Sequence, residues 1–517
     1  MTQSTAVNNR IPITLITICF GFACILRILI GFGHHSGENN YHGSSKAYGG
    51  DFEAQRHWME ITYWLPVGDW YWYDLDYWGL DYPPLTAYHS YLCGWLSHRL
   101  AGPETVALDS SRGIEDPVHK AYMRATVLVF DFLIFGTAVC YSSFRNDRGS
   151  MWVSFITLCQ PAILLVDHGH FQYNSIALGF SIAAFAFISQ DRFRSCIYGS
   201  ILFCLALNFK QMTLYYAPVV FFYLLGRCIS TPKRFFQRLI LLGVTVLTCF
   251  GVLWLPFIVT GPSDMMTTPL ERMMQIVRRI FPFERGLFEG KVSNLWCALN
   301  TRPISIRDRI DSSVQPLLAL VLTLIMIAPS SFALFCLGMK GDEMATSKIN
   351  NQNHWKRLLW GTMSCSLSFF LASFQVHEKS ILMSLAPCSL LLWEDPKFVL
   401  WFSRVCVWTL WPLLQVDRLH TPYFCMLIIF EMLVHLGQDH FSSKPSVFSG
   451  IFSMIPWLTY AIMIGLHAIE FSLGPPAALP DLYPVLWSVV GCALFCLAYI
   501  ISCAKVLLPV EGKNKVE

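Results

Sequence analysis

Long apolar runs alternate with short polar breaks along most of this chain, and the runs share a characteristic length. Windows close to the ~20 residues that an α-helix needs to cross a bilayer recur fourteen times, starting near residues 12, 122, 151, 174, 196, 212, 237, 315, 357, 379, 397, 421, 448 and 482. The pattern predicts an all-α polytopic membrane protein of about 14 transmembrane helices, one integral membrane unit over residues 1–517. The windows that start at 196 and 379 are short enough to be partly re-entrant. Two polar intervals are long, 33–121 and 261–312, and the other connections are short. The first run is long for a signal-peptide core and lacks a small-residue cleavage site, so it is expected to stay as an uncleaved span.

Composition fits this reading. With 54% hydrophobic and 14% charged residues among 517, the chain's main solvent is lipid. A net charge of +3 without a basic face argues against nucleic-acid binding. Most of the 18 cysteines lie inside apolar runs (Cys140, Cys204, Cys249, Cys365, Cys492, Cys496 and Cys503 among them), where cysteine behaves as a small hydrophobe. No disulfide framework is expected.

Lysine and arginine set the orientation. With a cytosolic N-terminus, eighteen of them, from Arg10 through Arg145, Lys233 and Lys356 to Lys515, fall on cytosolic pieces. The short loops opposite carry only Lys210, Lys379 and Arg418. The positive-inside rule selects this orientation, with both termini cytosolic. It gathers both long intervals and the stretches DHGHFQYN (167–174), NFKQ (208–211) and QVHEK (375–379) on the other side. Polar side chains at membrane ends are costly unless solvated or used, so that face is expected to carry the chemistry. The tail KNKVE, with Lys513 and Lys515, resembles a dilysine retrieval signal of the endoplasmic reticulum; a solvated basic tail is the plain alternative.

The first long interval opens with GDFEAQRHWME at 50–60. Asp51 and Glu53 suit a helix N-terminus, with Arg56, His57 and Glu60 paired along the helix; alternatively, an ionised carboxylate held at a sugar hydroxyl acts as general base. Ten of the 25 residues from Trp58 to Tyr82 are aromatic, as in helices lying at a membrane interface, and a few of these rings are suited to stacking on sugars. Pro83 and Pro84 push Asp81 out of helical geometry. His168 and His170 have a spacing open to metal binding, but two histidines on a short loop fall short of a ligand set. His377, Glu378 and Lys379 read as an interfacial anchor with a snorkelling lysine, or as part of a site that takes a lipid-linked phosphate through Lys210, Arg285 and His377.

Six stretches together carry a resemblance: GDFEAQRHWMEIT (50–62), YWGLDYPPLTAYHSYL (77–92), DHGHFQYNSIALG (167–179), FKQMTLYYAP (209–218), RIFPFERGLFEGKVSNLWC (279–297) and FQVHEKSIL (374–382). The chain resembles the dolichyl-phosphate-glucose-dependent α-1,3-glucosyltransferases of N-glycan assembly, in the GT-C superfamily, over about residues 45–390. The first-loop wording, DFEAQRHW and LDYPPLTAY, sides with the branch whose acceptor is Man9GlcNAc2-PP-dolichol over its sister branch, which adds the second glucose. The resemblance implies a GT-C fold in the endoplasmic reticulum membrane with a lumenal site, Asp51 as catalytic base, and Asp81 and His377 at further functional positions. Lys210, Arg285 and Glu378 complete the expected contacts to the donor, dolichyl phosphate glucose. The interval 33–121 is then the lumenal loop with the catalytic motif, and 261–312 the loop that covers the site. With no acidic metal cluster in the sequence, neither metal nor cofactor is expected. A lipid-linked sugar flippase is the reading from another class; it calls for ionisable residues near mid-membrane and for inverted repeats, and the sequence has neither.

Overall fold

The structure is a computed structural model of the chain, and it describes residues 13–39, 49–144, 150–281, 287–288, 290–340, 348–441 and 446–508. Among the described residues the regular structure is entirely helical. Seven helices are long and apolar enough to cross a membrane: α4 (Pro117–Phe144), α5 (Met151–Phe171), α8 (Gln211–Ile229), α9 (Pro232–Val259), α11 (Gln315–Met339), α16 (Gly450–Leu473) and α17 (Leu482–Leu507). The chain is thus a polytopic membrane protein. Shorter or more polar helices occupy the other predicted windows: α1 (Ile13–Gly31), α6 (Asn174–Ile188), α7 (Phe193–Phe209), α12 (Lys348–Ala372), α13 (Leu382–Ser389), α14 (Pro396–Thr409) and α15 (His420–Leu436). Helix α12 begins with a polar turn, and α13 is a brief helix with Pro387 inside it.

Burial separates the centre of the bundle from its rim. The apolar window of α5 is 94% covered by the rest of the chain, whereas those of α9 and α16 are 6% covered. A helix apolar all round and uncovered needs a lipid solvent, so α9 and α16 mark the faces turned to the bilayer. Where helices meet closely, small residues allow it. Gly226 of α8 faces Gly338 of α11, and an added Cβ on either would collide with the carbonyl of Phe335 or Tyr223. All 18 cysteines are free thiols.

The two long polar intervals fold together. The first holds α2 (Gly50–Trp64) and α3 (Pro84–Leu100), the second α10 (Pro269–Ile280). Helix α10 starts on a capping box between Thr268 and Glu271. Its Ile276 and Ile280 join Trp58, Trp70, Tyr71 and Leu80 of the first interval and Phe257 of α9 in one buried cluster. The rest of its apolar face leaves Leu270, Met273, Met274 and Val277 exposed, which suits a helix at a membrane surface. Polar contacts stitch the same seam. Ser263 donates to Asp69 through its backbone N–H (2.7 Å) and its hydroxyl (2.6 Å). Gln275 Nε2 donates to the Tyr71 carbonyl at 3.0 Å. The Arg279 guanidinium donates to the carbonyls of Gly79 and Leu80 at 2.8 and 3.1 Å.

Candidate active site

Helix α2 begins from two consecutive left-handed glycines, Gly49 at φ 84° and Gly50 at φ 59°. That region is open to glycine at little cost, and a Cβ on Gly50 would also strike Ser36. The tight entry places Asp51 in the first turn, its backbone N–H donating to Ser36 Oγ at 3.2 Å. One turn further, the rest of the charge cluster turns inward. Arg56 bonds Glu53 and Glu60, both at 2.6 Å, and all three side chains are fully buried. Tyr77 Oη donates to Glu53 at 2.9 Å, and Ser111 Oγ to Glu60 at 2.9 Å. Glu53, Arg56 and Glu60 therefore brace the helix, and Asp51 alone of the cluster's charged groups reaches the cavity beside it.

That cavity, of about 360 Å³, is lined by Asp51, Gln55, Trp58, Trp78, Asp81, Tyr82, Gln172, Lys210, Tyr215, Arg279, His377 and Lys379, with an apolar wall from Met212, Leu214, Phe281, Phe369 and Phe374. Both long intervals and the three polar stretches that the charge pattern had gathered on one face contribute to it. Asp51, Asp81, Lys210 and His377 all stand in the wall. Glu378 is half-buried beside them and supplies no wall atom. Arg285 lies outside the described residues, as do Lys513 and Lys515 of the tail.

The hydrogen bonds show how the groups are held. Asp51 Oδ2 accepts from Lys379 Nζ, from His170 Nε2 at 2.7 Å and from Gln172 Nε2 at 2.5 Å. Burial pushes the Asp51 carboxyl up, but the Lys379 ammonium and the bonded His170 ring outweigh it and hold the group well below the usual carboxylate range. Lys210 Nζ donates to Gln172 Oε1 at 2.9 Å and to Asn174 Oδ1 at 2.6 Å, and lies 5.0 Å from the Tyr82 ring centroid. Burial, followed by the like charge of Lys379, lowers its ammonium to about 7.

One expectation changes here. Lys379 is no snorkelling anchor. After Gln375, at φ 61°, the chain folds into a 3₁₀ turn at Glu378–Ile381, and the lysine points at Asp51, which rewards an inward ammonium more than solvent does. The H-x-H pair also divides. His168 Nε2 bonds Asp131 at 2.8 Å inside the bundle, whereas His170 bonds Asp51 and Asp417. The two rings join separate networks and share no ligand position. Sequence reasoning missed His170, Gln172, Arg279 and Asp417; the polar DHGHFQYN stretch was the signal for the first two, and nothing local marked Asp417.

A carboxylate and two lysines, Asp51, Lys210 and Lys379, thus meet on one cavity wall of a membrane helix bundle. The model of the ALG6, ALG8 glycosyltransferase family matches residues 23–501, and the chain belongs to that family. It is 37% identical to the dolichyl pyrophosphate Man9GlcNAc2 alpha-1,3-glucosyltransferase of Saccharomyces cerevisiae, covering 96% of this chain and 92% of that one. The protein of the same name from Gallus gallus is 37% identical over 97% of this chain and 98% of its own length. The probable counterpart in Schizosaccharomyces pombe is 38% identical, covering 95% and 92%.

Proposed function

We propose that this chain is an inverting α-1,3-glucosyltransferase that moves glucose from dolichyl phosphate glucose to Man9GlcNAc2-PP-dolichol, at the lumenal face of the endoplasmic reticulum membrane. The observation that carries the reading is a carboxylate and lysines on one cavity wall, Asp51 with Lys379 and Lys210, in a chain whose relatives bear the name of that reaction. A β-linked donor and an α-linked product require one displacement with inversion. Asp51 takes the proton from the 3-hydroxyl of the terminal mannose as that oxygen attacks C1 of glucose. The bond from C1 to the phosphate oxygen breaks on the opposite face, and dolichyl phosphate leaves with its charge increased.

Cations aimed at a leaving phosphate stabilise the transition state more than the ground state. Lys379, Lys210 and His377 occupy the wall for this role. Lys379 is shared: it pairs with Asp51, and a phosphate beside it competes for the same ammonium. Trp58, Trp78 and Tyr82 offer flat faces for sugar rings, and the apolar wall of Met212, Phe369 and Phe374 suits the first isoprene units of a lipid chain. With the phosphate charge met by side chains, transfer needs no metal.

The test is transfer by purified enzyme from dolichyl phosphate glucose to Man9GlcNAc2-PP-dolichol and, in parallel, to the once-glucosylated lipid. Preference for the first is expected. Preference for the second moves the enzyme to the sister reaction, and movement of either lipid across a vesicle membrane without transfer would make it a flippase.

A further inference from the structure

His170 stands behind Asp51, outside the cavity wall, and the transfer step above makes no use of it. Its ring is nevertheless held at both nitrogens by carboxylates. Nε2 lies 2.7 Å from Asp51 Oδ2, and Nδ1 bonds Asp417 Oδ2, from a residue 247 positions away in the chain. The His170 and Asp417 side chains are both 4% exposed. An ionised carboxylate only accepts hydrogen bonds, and burying one is costly without close partners. Placing Asp417 here therefore needs a compensating gain, and the ring supplies it.

The backbone around the pair is unusual. Phe171, next to His170, has φ 88°, and Arg418, next to Asp417, has φ 58°. Left-handed non-glycine residues cost energy and cluster where a side chain must be aimed. The consequence reaches Asp51: three donors, from His170, Gln172 and Lys379, converge on Oδ2. Among the described residues none goes to Oδ1, so Oδ1 is the oxygen available to an incoming hydroxyl.

We propose that Asp417 and His170 are positioning residues for the Asp51 base, Asp417 fixing the ring and the ring fixing Oδ2, so that Oδ1 is presented to the acceptor hydroxyl. This rests on the glucosyltransferase reading, with Asp51 as base. The charged and titratable groups around the ring come from several elements. They are Asp51 from α2, Lys379 from the 3₁₀ turn with Nζ 3.1 Å from Nε2, and Asp417 from the link before α15. Arg124 of α4 bonds the carbonyls of His168 and Gly169. His35 bonds the Ser36 carbonyl, and the Ser36 N–H bonds the His170 carbonyl. Lys210 is linked through Gln172.

The experiment is the pH profile of kcat, with KM for both lipid substrates, for wild type, Asp417→Asn and His170→Gln in detergent. Asn keeps the shape and an acceptor oxygen but removes the charge behind the ring. Each variant should lose about tenfold or more in kcat, as when an orienting carboxylate is neutralised, with both KM values little changed. The acid limb should move up by about one pH unit or more, because Asp51 loses part of its cationic hold. A merely structural pair would lower kcat or thermal stability and leave the limb in place. An unshifted limb in whichever variant folds overturns the proposal. Wild type in the same assay separates the two readings: no transfer by wild type counts against the reaction, whereas wild-type transfer with unshifted variants counts against the positioning pair alone.

Discussion

Two Asp–His–cation clusters take their rings from one segment, His168 and His170, two residues apart. In the first, Asp131 Oδ2 takes Arg27 Nε at 2.7 Å and His168 Nε2 at 2.8 Å, with no side chain more than 2% exposed. In the second, Asp51 Oδ2 takes Lys379 and His170, and the Asp51 side chain is 27% exposed. The chemical inventory is nearly the same. What differs is access: the first cluster is sealed between α1, α4 and α5, whereas the second ends in a carboxylate that meets a cavity. The cations differ in kind as well. A guanidinium in a bidentate-capable, buried pairing is a fixed strut, and an ammonium on a flexible stem is able to change partners. Pairing alone therefore singles out neither cluster; access to the cavity is what sets the second apart.

Substitution should separate the clusters by what is lost. Asp51→Asn keeps the shape of the open cluster and removes the base, so turnover should fall by roughly 10²–10⁴, far more than any fall in the fraction of folded protein in detergent; near-normal transfer would remove Asp51 from the mechanism. Asp131→Asn should do the reverse. It leaves Arg27 buried without its counter-charge, at a cost of about 3–5 kcal/mol, read as an earlier thermal transition, while the protein that remains folded keeps the wild-type pH profile. A loss of activity larger than the loss of folded protein would make the sealed cluster part of the chemistry.

Smaller effects sharpen the contrast through pH. The base must be ionised, and Asp51 is held well below the usual range, so activity should persist as pH falls through about 4, where an ordinary aspartate titrates. Lys210 works in the opposite sense. It must be protonated to meet phosphate, and its ammonium is lowered to about 7, so its help is full below pH 7 and is lost above it. KM for the donor should rise by up to roughly fivefold between pH 7 and 8, the loss in protonated fraction that a group of this pKa undergoes, and Lys210→Arg should flatten that rise. A flat donor KM in the wild type would take Lys210 off the phosphate. The smallest expected effect is none: excess EDTA should leave transfer unchanged, and activity abolished by EDTA and restored by a divalent ion would overturn the metal-free reading.

Much of this was legible in the chain because it is local. Apolar windows report helices, and each predicted window holds one, although seven helices meet the length and hydropathy of a full span. The others fall short for visible reasons, such as the polar start of α12 around Lys356 and Arg357 and the brevity of α13. Lys210 and His377 stand out as polar groups interrupting an apolar pattern, and the resemblance carried by the six stretches is what nominated Asp51 as base and Asp81 and His377 as functional positions. The direction a side chain takes was not legible. Lys379 looked like an anchor since no periodicity reveals a carboxylate 328 positions earlier, and Asp417 closes an apolar stretch whose partner, His170, is equally remote. Long-range convergence is a property of packing, and a single sequence carries no trace of it.

The seam between the two polar intervals has a practical corollary for anyone splicing this enzyme with its relatives. Arg279 both lines the cavity and grips the Gly79 and Leu80 carbonyls, and Gly68 lies so close to Gly261 that a side chain on it would collide with that backbone. A chimera that imports the second interval without the first will inherit a mismatched seam, so the two segments should fold stably in a relative only when they are exchanged as a matched cassette.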